Sequence, residues 1–365
     1  MSDVLALPPA NRRHLDGLSG ELGIMQHAIG SRPDPRHGYC TDDVARALQV
    51  DLLHAHELGW NAVAASATRN LRFLDGALDR DSGRFRNFRG VDGSWLDGAG
   101  SDDCHGRAML ALGETMAGAS DDRLAGWAGR LFAEALPAAQ KLGSMRARAS
   151  VVLACDAAMR AAPTRATAVT YRLQSDWLRS IFDTRPASRW PWPEPRLTYE
   201  NALPVRALIV AGRFLESPQM IRLGIEVLDW LIVEQTAVAG HLSPIGNGWW
   251  TYGGKRSQFD QQPIEPTALL LAAEAALAET GVDRYRIAME QAYAWFVGVN
   301  DVGVAVADPE RGASHDGLTA TGVNSNQGAE STLMWLTALE RVRAMRVTRL
   351  GHVPVDEAAL AGTAR

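Results

Sequence analysis

The sequence predicts an all-α fold, a closed (α/α)6 barrel with short β-hairpins in the loops at one end. Three observations support this prediction. Helical periodicity dominates the chain, it alternates between segments that are apolar on every face and segments that are amphipathic, and the long connections precede segments of the first kind. Stacked helical hairpins also allow an open solenoid, but the difference in loop length between the two ends favours closure around a functional face.

The segments predicted to be buried begin with polar residues and then become rich in alanine and leucine. A helix that is apolar all round needs neighbours on every side, so these segments are predicted to form the inner ring. The six segments are residues 41–58, 101–117, 144–161, 198–216, 262–281 and 327–345.

Amphipathic helices are predicted between the buried segments, where they form the outer ring. The six segments are residues 11–30, 60–78, 123–140, 166–182, 217–235 and 283–299. The polar starts of the buried segments recur at intervals of about 40 to 65 residues, which is typical of helical hairpin repeats. One barrel domain is predicted over residues 1–347, followed by a tail over residues 348–365.

Connections that follow the buried segments are short, whereas those that precede them are often long. The long ones contain glycine, tryptophan and β-like runs such as GRFRNF, GWWTYGG and VGVAVAD. Long loops in a compact domain are usually functional, and these meet at the end where the buried helices begin. This end is therefore predicted to be the mouth of a funnel. The long loops cover residues 79–101, 185–198, 236–261 and 301–328.

The composition argues against several classes of partner. The net charge is −5 and acidic and basic residues are interspersed, so nothing indicates nucleic-acid binding. No apolar run reaches the roughly 18 residues that a membrane span needs. Three cysteines do not make a disulfide framework and no signal-peptide pattern opens the sequence, so a cytoplasmic setting is predicted. Eleven tryptophans suit either a large core or a sugar site, because a flat aromatic face covers the C–H face of a sugar ring.

Two of the buried segments start with paired aspartates, Asp42 with Asp43 and Asp102 with Asp103. One acid of each pair is explained as a helix N-cap, which satisfies the unpaired N–H groups of the first turn. The second acid is left for a site at the mouth. His105 follows within one turn and either shares this cavity or pairs with the acids.

Glu265 is the leading candidate for catalysis. It lies between Ile264 and Pro266 at the start of a buried helix, so partial desolvation is expected to raise the pKa of its carboxyl group. A raised pKa suits a general acid. Asp260 and Gln262, in the same polar stretch, are predicted to bind substrate hydroxyl groups.

Polar residues also open two further buried helices. Glu200 with Asn201, and Asn326 with Glu330, have the side chains that bind sugar hydroxyl groups. The alternative is structural, because an acid in the first turn complements the helix dipole and also serves as a capping-box partner.

Aromatic and basic side chains complete the predicted mouth. Trp249, Trp250 and Tyr252 lie in a long loop and are predicted to stack on sugar rings. Arg107 lies near the start of a buried helix, where it either shares the cavity or pairs with the acids. Arg146 or Arg148, at the start of another, either pairs with an acid, holds an anionic ligand or lies at the surface in a salt bridge.

Three stretches carry a resemblance to known proteins, namely GYCTDDVARAL (38–48), KRSQFDQQPIEP (255–266) and GVNSNQGAEST (322–332). They look like parts of bacterial glycosidase-like proteins that accompany glycosyltransferases and mannoside phosphorylases. To about residue 345 the chain resembles the six-hairpin glycosidase superfamily. The resemblance implies an (α/α)6 toroid with its site at the mouth, a pair of catalytic carboxylates that often act with inversion, and a functional link to a glycosyltransferase.

A glycoside hydrolase that acts on oligosaccharides is therefore the predicted function, with no cofactor. In the expected inverting mechanism Glu265 is the acid and Asp103 or Asp43 is the base, at a separation of about 6.5–9.5 Å. The residues predicted to bind substrate are Asp42, Asp102, His105, Glu200, Asn201, Trp249, Trp250, Tyr252, Asp260, Gln262, Asn326 and Glu330.

A sugar epimerase or isomerase is a competing hypothesis on the same fold. Epimerases with this barrel use histidine pairs as acid and base. His37, His105, His241 and His315 all fall in the predicted mouth loops or at a helix start.

A zinc site and a binding module are hypotheses that involve no carboxylate pair. The run DCHG at 103–106 resembles the Cys-His-Gly motif of lanthionine-synthase-like barrels, and with Cys40 it suggests a catalytic zinc site, although the partner Trp-Cys-Tyr-Gly motif is absent. As a binding module, the protein would be a non-catalytic glycan-binding partner of a glycosyltransferase.

Overall fold

The computed structural model describes residues 5–183 and 189–350. Twelve α-helices lie in this part of the chain, and they alternate between an inner and an outer ring. The inner helices match the six segments that the sequence predicts to be buried. They are α2 (Thr41–Leu58), α4 (Asp102–Gly118), α6 (Met145–Ala161), α8 (Leu203–Phe214), α10 (Ile264–Thr280) and α12 (Ala329–Leu350).

The outer helices cover the inner ring. Each outer helix from α3 onward packs against the inner helix that precedes it, and α1 packs against α12. They are α1 (Arg13–Leu18), α3 (Trp60–Ala77), α5 (Asp122–Ala139), α7 (Arg165–Asp183), α9 (Pro218–Glu234) and α11 (Asp283–Phe296).

The inner ring is closed. Each inner helix contacts the next, and α12 returns to contact α2, so the predicted (α/α)6 barrel is confirmed and the open solenoid is not formed. The sixth helical hairpin joins α1 to α12. At this hairpin Nε2 of His14 donates a hydrogen bond of 2.8 Å to the carbonyl oxygen of Gln327, 313 residues further along the chain.

Helices α4 and α6 approach each other closely because glycines of α4 face the α6 backbone. A Cβ atom added at Gly106 would lie 2.7 Å from the carbonyl oxygen of Ala147, and one added at Gly113 would collide with the carbonyl oxygen of Ala154. Only a residue without a side chain fits such a contact. This close packing brings the first turns of α4 and α6 together at the mouth.

The predicted helix over residues 11–30 is wrong beyond Leu18. Helix α1 has six residues, and the chain at Ser19 is extended. Gly23 then passes so close to the core that an added Cβ would lie 3.0 Å from Val44 and 3.2 Å from Phe73. The apolar residues that suggest a long helix instead enter the core from an irregular segment.

Short antiparallel strand pairs occupy the long loops that precede the inner helices. Four of them are hairpins, as the sequence predicts, whereas the other two join strands of different loops. The described part of the chain has twelve strands of two residues each, and they pair antiparallel. The strands are β1 (Ala28–Ile29), β2 (Arg32–Pro33), β3 (Tyr39–Cys40), β4 (Leu78–Asp79), β5 (Arg84–Phe85), β6 (Phe88–Arg89), β7 (Arg196–Leu197), β8 (Trp250–Thr251), β9 (Ala307–Asp308), β10 (Ala313–Ser314), β11 (Leu318–Thr319) and β12 (Gly322–Val323).

Two predictions fall partly outside the described residues. Part of the loop predicted over 185–198 lies there, and so do residues 351–365 of the predicted tail. Helix α12 continues to Leu350, three residues past the predicted end of the domain. Within residues 5–183 and 189–350, no helix combines the length and hydropathy that crossing a membrane requires.

A buried polar network joins the elements that close the ring. Arg12, next to α1, donates a hydrogen bond of 2.6 Å to Asp51 of α2 and lies 3.0 Å from Nδ1 of His54. Asn70 of α3 donates to the other carboxylate oxygen of Asp51 at 2.9 Å. All four side chains are buried, so each partner compensates for the desolvation of the others.

The other side of His54 faces Glu340 of α12. Nε2 of His54 and Oε1 of Glu340 are 3.8 Å apart, which is too long for a hydrogen bond. Glu340 is held instead by Arg343, at 2.9 Å. Burial lowers the pKa of His54 to about 3, and the nearby charges of Arg12 and Arg343 contribute to this decrease, so the ring is neutral.

The substitution Arg12→Met should destabilise the barrel by about 3–5 kcal/mol, because it leaves the carboxylate of Asp51 buried without the guanidinium that pairs with it. Urea unfolding at neutral pH measures the loss. The matched control is Arg179→Met, which removes an exposed pair with Asp176 and should cost at most about 1 kcal/mol. Equal losses in the two variants would show that the network does not hold the ring closed.

His54 should make the barrel sensitive to acid. The unfolded chain binds a proton at this histidine below about pH 6.5, whereas the folded chain does so only near pH 3. The contribution of His54 to stability is therefore lost as the pH falls through this window, by about 1.4 kcal/mol per pH unit. The raised pKa of Asp51, about 6, acts in the opposite direction below pH 6.

A comparison with His54→Gln separates the two effects. The advantage of the wild type in the free energy of unfolding should shrink as the pH is lowered from about 7 to about 4. Urea unfolding of both proteins at several pH values provides the measurement. A difference that stays constant with pH would mean that His54 is not the titrating group.

Candidate active site

A polar cleft opens where the inner helices begin. Two cavities of about 360 Å³ and about 290 Å³ lie side by side there. Both are lined by Asp42, Arg46, Gln262 and Glu330, and we call the two cavities together the mouth cleft. Asp43 lines the larger cavity.

Asp103 and Arg107 line the smaller cavity of the mouth cleft, together with Tyr199. The acids come from the first turns of α2, α4 and α12, and this position suits them because the positive ends of the helix dipoles point to the mouth. The structure therefore brings together Asp42, Asp43, Asp103, Gln262 and Glu330 of the predicted site.

Each arginine of the mouth cleft is held between two carboxylates. Arg46 lies 3.0 Å from Asp43 and 2.9 Å from Glu330. The pair with Asp43 joins two residues three positions apart on α2, which brings their side chains onto one face of the helix.

Arg107 lies 2.7 Å from Glu200 and 3.7 Å from Asp42. Burial alone would lower the pKa of Arg107, but the two carboxylates reverse that effect and raise it, so the guanidinium remains charged. Glu200 thus belongs to the wall beneath the cleft and is neutralised by Arg107.

Asp43 is the cleft carboxyl group with a strongly raised pKa. Burial raises the pKa of Asp43 to about 7; the guanidinium of Arg46 opposes this rise, and the charges of Glu330 and Asp42 add to it. At neutral pH a large fraction of Asp43 is therefore protonated and able to donate a proton.

Asp103 accepts hydrogen bonds at both carboxylate oxygens. The hydroxyl group of Ser144 donates to Oδ1 at 2.7 Å, and the phenol of Tyr199 donates to Oδ2. Ser144 also caps α6, so the close packing of α4 and α6 fixes this contact. The guanidinium of Arg146 stacks on the Tyr199 ring at 4.5 Å and holds the phenol in place.

The turn before α8 carries Tyr199 and has an unusual backbone. Glu200 has φ +48°, a left-handed conformation that a non-glycine residue adopts only when its surroundings enforce it. Arg146 donates to the carbonyl oxygen of Tyr199 at 2.5 Å and to the hydroxyl of Thr198 at 2.7 Å. Asn201 accepts from the N–H of Thr198 at 3.0 Å, which closes the turn.

Glu265 supports this turn from behind. Its carboxylate accepts hydrogen bonds from the backbone N–H of Glu200 and, at 3.0 Å, from the side-chain amide of Asn201. Burial raises the pKa of Glu265 to about 7, although the hydrogen bond from Asn201 opposes the rise. The predicted desolvation is thus present, but Glu265 and Asn201 are buried and are not among the residues that line the mouth cleft.

Asp102 and His105 point away from the cleft, contrary to the prediction. Asp102 accepts hydrogen bonds from Arg84 at 2.9 Å and from the backbone N–H groups of Gly143 and Ser144, so it ties the start of α4 to the loop before α6. His105 is fully buried against Phe85, with ring centroids 5.4 Å apart. Burial lowers its pKa to about 4.

The predicted aromatic platform belongs to the outer wall. The ring of Trp250 lies 5.1 Å from Trp190 and 6.2 Å from Trp230 of α9, and Tyr252 lies 5.4 Å from Trp190. Trp249 is partly exposed next to them. This cluster packs a loop onto an outer helix, so these aromatic side chains do not line the mouth cleft.

Asp260 and Asn326 also lie outside the mouth cleft. Asp260 is exposed in a left-handed turn with φ +58°, where its carbonyl oxygen accepts from the N–H of Asn247. The side chain of Asn326 accepts from the N–H of Gly30 at 3.0 Å, which attaches the β1–β2 hairpin to the loop before α12. The predicted contact of Asp260 and Asn326 with substrate therefore has no support from the lining of the cleft.

Arg46 and Tyr199 are among the cleft residues that are absent from the predicted site. Arg46 follows Asp43 by three residues, and this helical spacing is the pattern that indicates an ion pair at the mouth. Tyr199 precedes Glu200, but no periodicity indicates that its hydroxyl group reaches Asp103 from the turn before α8.

The predicted histidines do not gather in one place. His105 is buried, His241 pairs with Asp301 at 3.0 Å, and His315 bonds to a backbone carbonyl. His37 packs edge-on against His27, which lines the larger cavity. Among the residues that the structure describes, no three or more His, Cys, Asp or Glu side chains are grouped as ligands for a metal ion.

Glu265→Gln should become relatively more stable than the wild type as the pH rises. Because the pKa is raised, the folded protein binds an extra proton between about pH 4.5 and pH 7. The contribution of this carboxyl group to the free energy of unfolding is therefore present at low pH and is lost as the pH rises through 7. Urea unfolding at about pH 5 and about pH 8 tests this difference.

Glu265→Ala is the companion variant. It should cost about 1–3 kcal/mol at either pH, since the two buried donors of the turn lose their acceptor. If Glu265→Gln shows no pH-dependent gain over the wild type, then Glu265 is not the titrating carboxyl.

Comparisons with known proteins show a shared fold. No family model matches the chain, and no curated protein matches it. Solved structures do match along nearly the whole length. A sugar epimerase from a ruminal bacterium is 13% identical with a TM-score of 0.69, over 89% of this chain and 94% of that one.

Two further structures are an epimerase and a mannanase. The cellobiose 2-epimerase from Spirochaeta thermophila is 15% identical with a TM-score of 0.66, over 90% of this chain and 93% of that one. A GH76 α-mannanase from Bacteroides thetaiotaomicron is 8% identical with a TM-score of 0.64, over 93% of this chain and 96% of that one. At these identities the similarity establishes the fold alone, and the chain has the (α/α)6 barrel of six-hairpin glycosidase-like structures.

Proposed function

We propose that this protein is a carbohydrate-active enzyme, a glycoside hydrolase that acts on oligosaccharides with Asp43 as general acid and Asp103 as general base. The observation that carries the proposal is the pairing, in one cleft, of a buried carboxyl with a pKa of about 7 and a second carboxylate held by two hydroxyl groups. The solved structures with this fold, named as sugar epimerases and an α-mannanase, support a carbohydrate as the substrate.

Asp43 takes the role of acid that the sequence suggests for Glu265. Both have a pKa of about 7, but Asp43 lines the cleft, whereas both oxygens of Glu265 are engaged by the turn before α8. A general acid must reach the leaving oxygen of the glycosidic bond, so access decides between them. Glu265 then acts as a positioning residue for the turn that carries Tyr199.

Asp103 is the base in this proposal and activates water. It lines the smaller cavity, whereas Asp43 lines the larger one, and Asp42, Arg46, Gln262 and Glu330 belong to both cavities. A glycoside that spans the two cavities therefore has one carboxyl group on each side. Attack of water from the side opposite the leaving group inverts the anomeric carbon, and this is the outcome that we propose.

Epimerisation is the competing reaction with the same substrate class. It needs an acid and a base at a carbon of the sugar ring, and His27 is the one histidine, within the described residues, that lines the mouth cleft. Its ring is exposed and packs against His37. The proposal therefore rests on the carboxyl groups of Asp43 and Asp103 and not on a histidine pair. A cytoplasmic setting and a link to a glycosyltransferase remain predictions from the sequence.

Turnover of manno-, gluco- and galacto-oligosaccharides, followed by proton NMR, tests the proposal. The expected result is release of a sugar with inverted anomeric configuration. Asp43→Asn and Asp103→Asn should each reduce kcat by about 10²–10⁴-fold, because each removes one proton-transfer group. Activity should also decline as the pH rises through about 7, since the acid must be protonated.

Asp229→Asn is the control, because this acid is on the outer helix α9, where it pairs with Arg284. It should leave the rate unchanged. Conversion of a sugar without hydrolysis would indicate an epimerase. Binding without turnover would indicate a glycan-binding module, and full activity in both cleft variants would refute the acid–base assignment.

A further inference from the structure

More acidic than basic side chains line the mouth cleft. Asp42, Asp43, Asp103 and Glu330 contribute four carboxyl groups, and Asp316 lies at the wall of the larger cavity. The cations of the cleft, within the residues described, are two arginines and the titratable ring of His27. A sugar bound there is therefore surrounded mainly by acceptors, which suits hydroxyl and amino groups.

The two arginines are already neutralised. Arg46 contacts both Asp43 and Glu330, and Arg107 contacts both Glu200 and Asp42. An anionic ligand would have to compete with one of these acids for its arginine: Asp43 and Glu200 are largely buried, whereas Asp42 and Glu330 are partly exposed. Neither guanidinium therefore offers the unshared fork of donors by which arginine usually binds phosphate or a carboxylate ligand.

The helix N-termini do not supply the missing positive charge. They attract anions in general, but four of them already have a capping serine or acids of their own. Ser101 and Ser144 accept from the first-turn N–H groups of α4 and α6. The first turns of α2 and α12 carry their own acids, which offset the positive ends of the dipoles.

We propose that the mouth cleft selects uncharged and amino sugars and excludes uronates, sugar phosphates and inorganic phosphate, so that water is the acceptor. This inference rests on the proposed function. In the reaction the glycosidic C–O bond breaks and the leaving oxygen takes the proton of Asp43. Water forms the new C–O bond at the anomeric carbon and gives its proton to Asp103. Phosphorolysis would instead bring a phosphate anion to the same carbon, among the same carboxylates.

Ligand-observed NMR with five probes at equal concentration tests the selectivity. The probes are methyl α-D-mannoside, D-glucosamine, D-glucuronate, D-mannose 6-phosphate and inorganic phosphate. We expect the methyl mannoside and glucosamine to bind and the three anions not to bind. Added phosphate should also leave the rate of oligosaccharide cleavage unchanged.

Glu330→Gln provides a gain-of-binding test. It removes one of the two carboxylates on Arg46, so D-mannose 6-phosphate and inorganic phosphate should bind about tenfold or more tightly than to the wild type. Glu274→Gln is the matched control. Glu274 pairs with Arg341 at 3.7 Å near the opposite end of the barrel, and its loss should not change anion binding to the cleft.

The outcomes distinguish this inference from the proposed function. If the wild type binds the anions as well as the uncharged sugars, or if phosphate accelerates cleavage, the selectivity is wrong while the carbohydrate function stands. If none of the probes and no oligosaccharide binds, both fail. A Glu330→Gln variant that binds anions no better than Glu274→Gln would overturn the explanation through Arg46.

Discussion

Closure of the inner ring is the constraint on which the rest of the structure depends. An inner helix is apolar on nearly every face, so it needs an outer helix behind it and an inner neighbour on each side. Six such helices satisfy one another only when α12 returns to α2, and the Arg12–Asp51–His54 network lies at this return. Because each inner helix runs in the same direction, all of their first turns then meet at one end, and the polar residues there form a site.

The site is built in two layers with different tasks. The outer layer, with Asp43 and Asp103, faces the cleft, whereas Glu265 and Asn201 lie behind it and determine the shape of the turn before α8. The two hydrogen bonds that Glu265 accepts restrict the motion of this turn. The turn then holds the Tyr199 phenol on Asp103. The raised pKa of Glu265 follows from the same burial, so a perturbed pKa by itself does not identify a catalytic group.

The sequence predicts the rings well because periodicity reports burial directly, and it predicts the site only in part. It identifies the end of the barrel at which the site lies, but successive residues of a helix point in directions about 100° apart. Asp103 therefore faces the cleft while Asp102 faces the loop before α6, and no local pattern distinguishes them. The Tyr199 contact joins residues 96 positions apart, and the Trp250 cluster depends on an outer helix. Such contacts are set by tertiary packing, which a single sequence does not display.

The sixth hairpin has a consequence for synthesis on the ribosome. A hydrogen bond across 313 residues joins α1 to the loop before α12, so α2 emerges long before the neighbour that covers one of its sides. Until α12 is made, the nascent chain is an incomplete ring with an apolar edge, the kind of surface to which chaperones bind and through which chains aggregate. The cleft is likewise incomplete at that stage, because Glu330 belongs to α12. The order of translation thus delays the site until the last inner helix has been released.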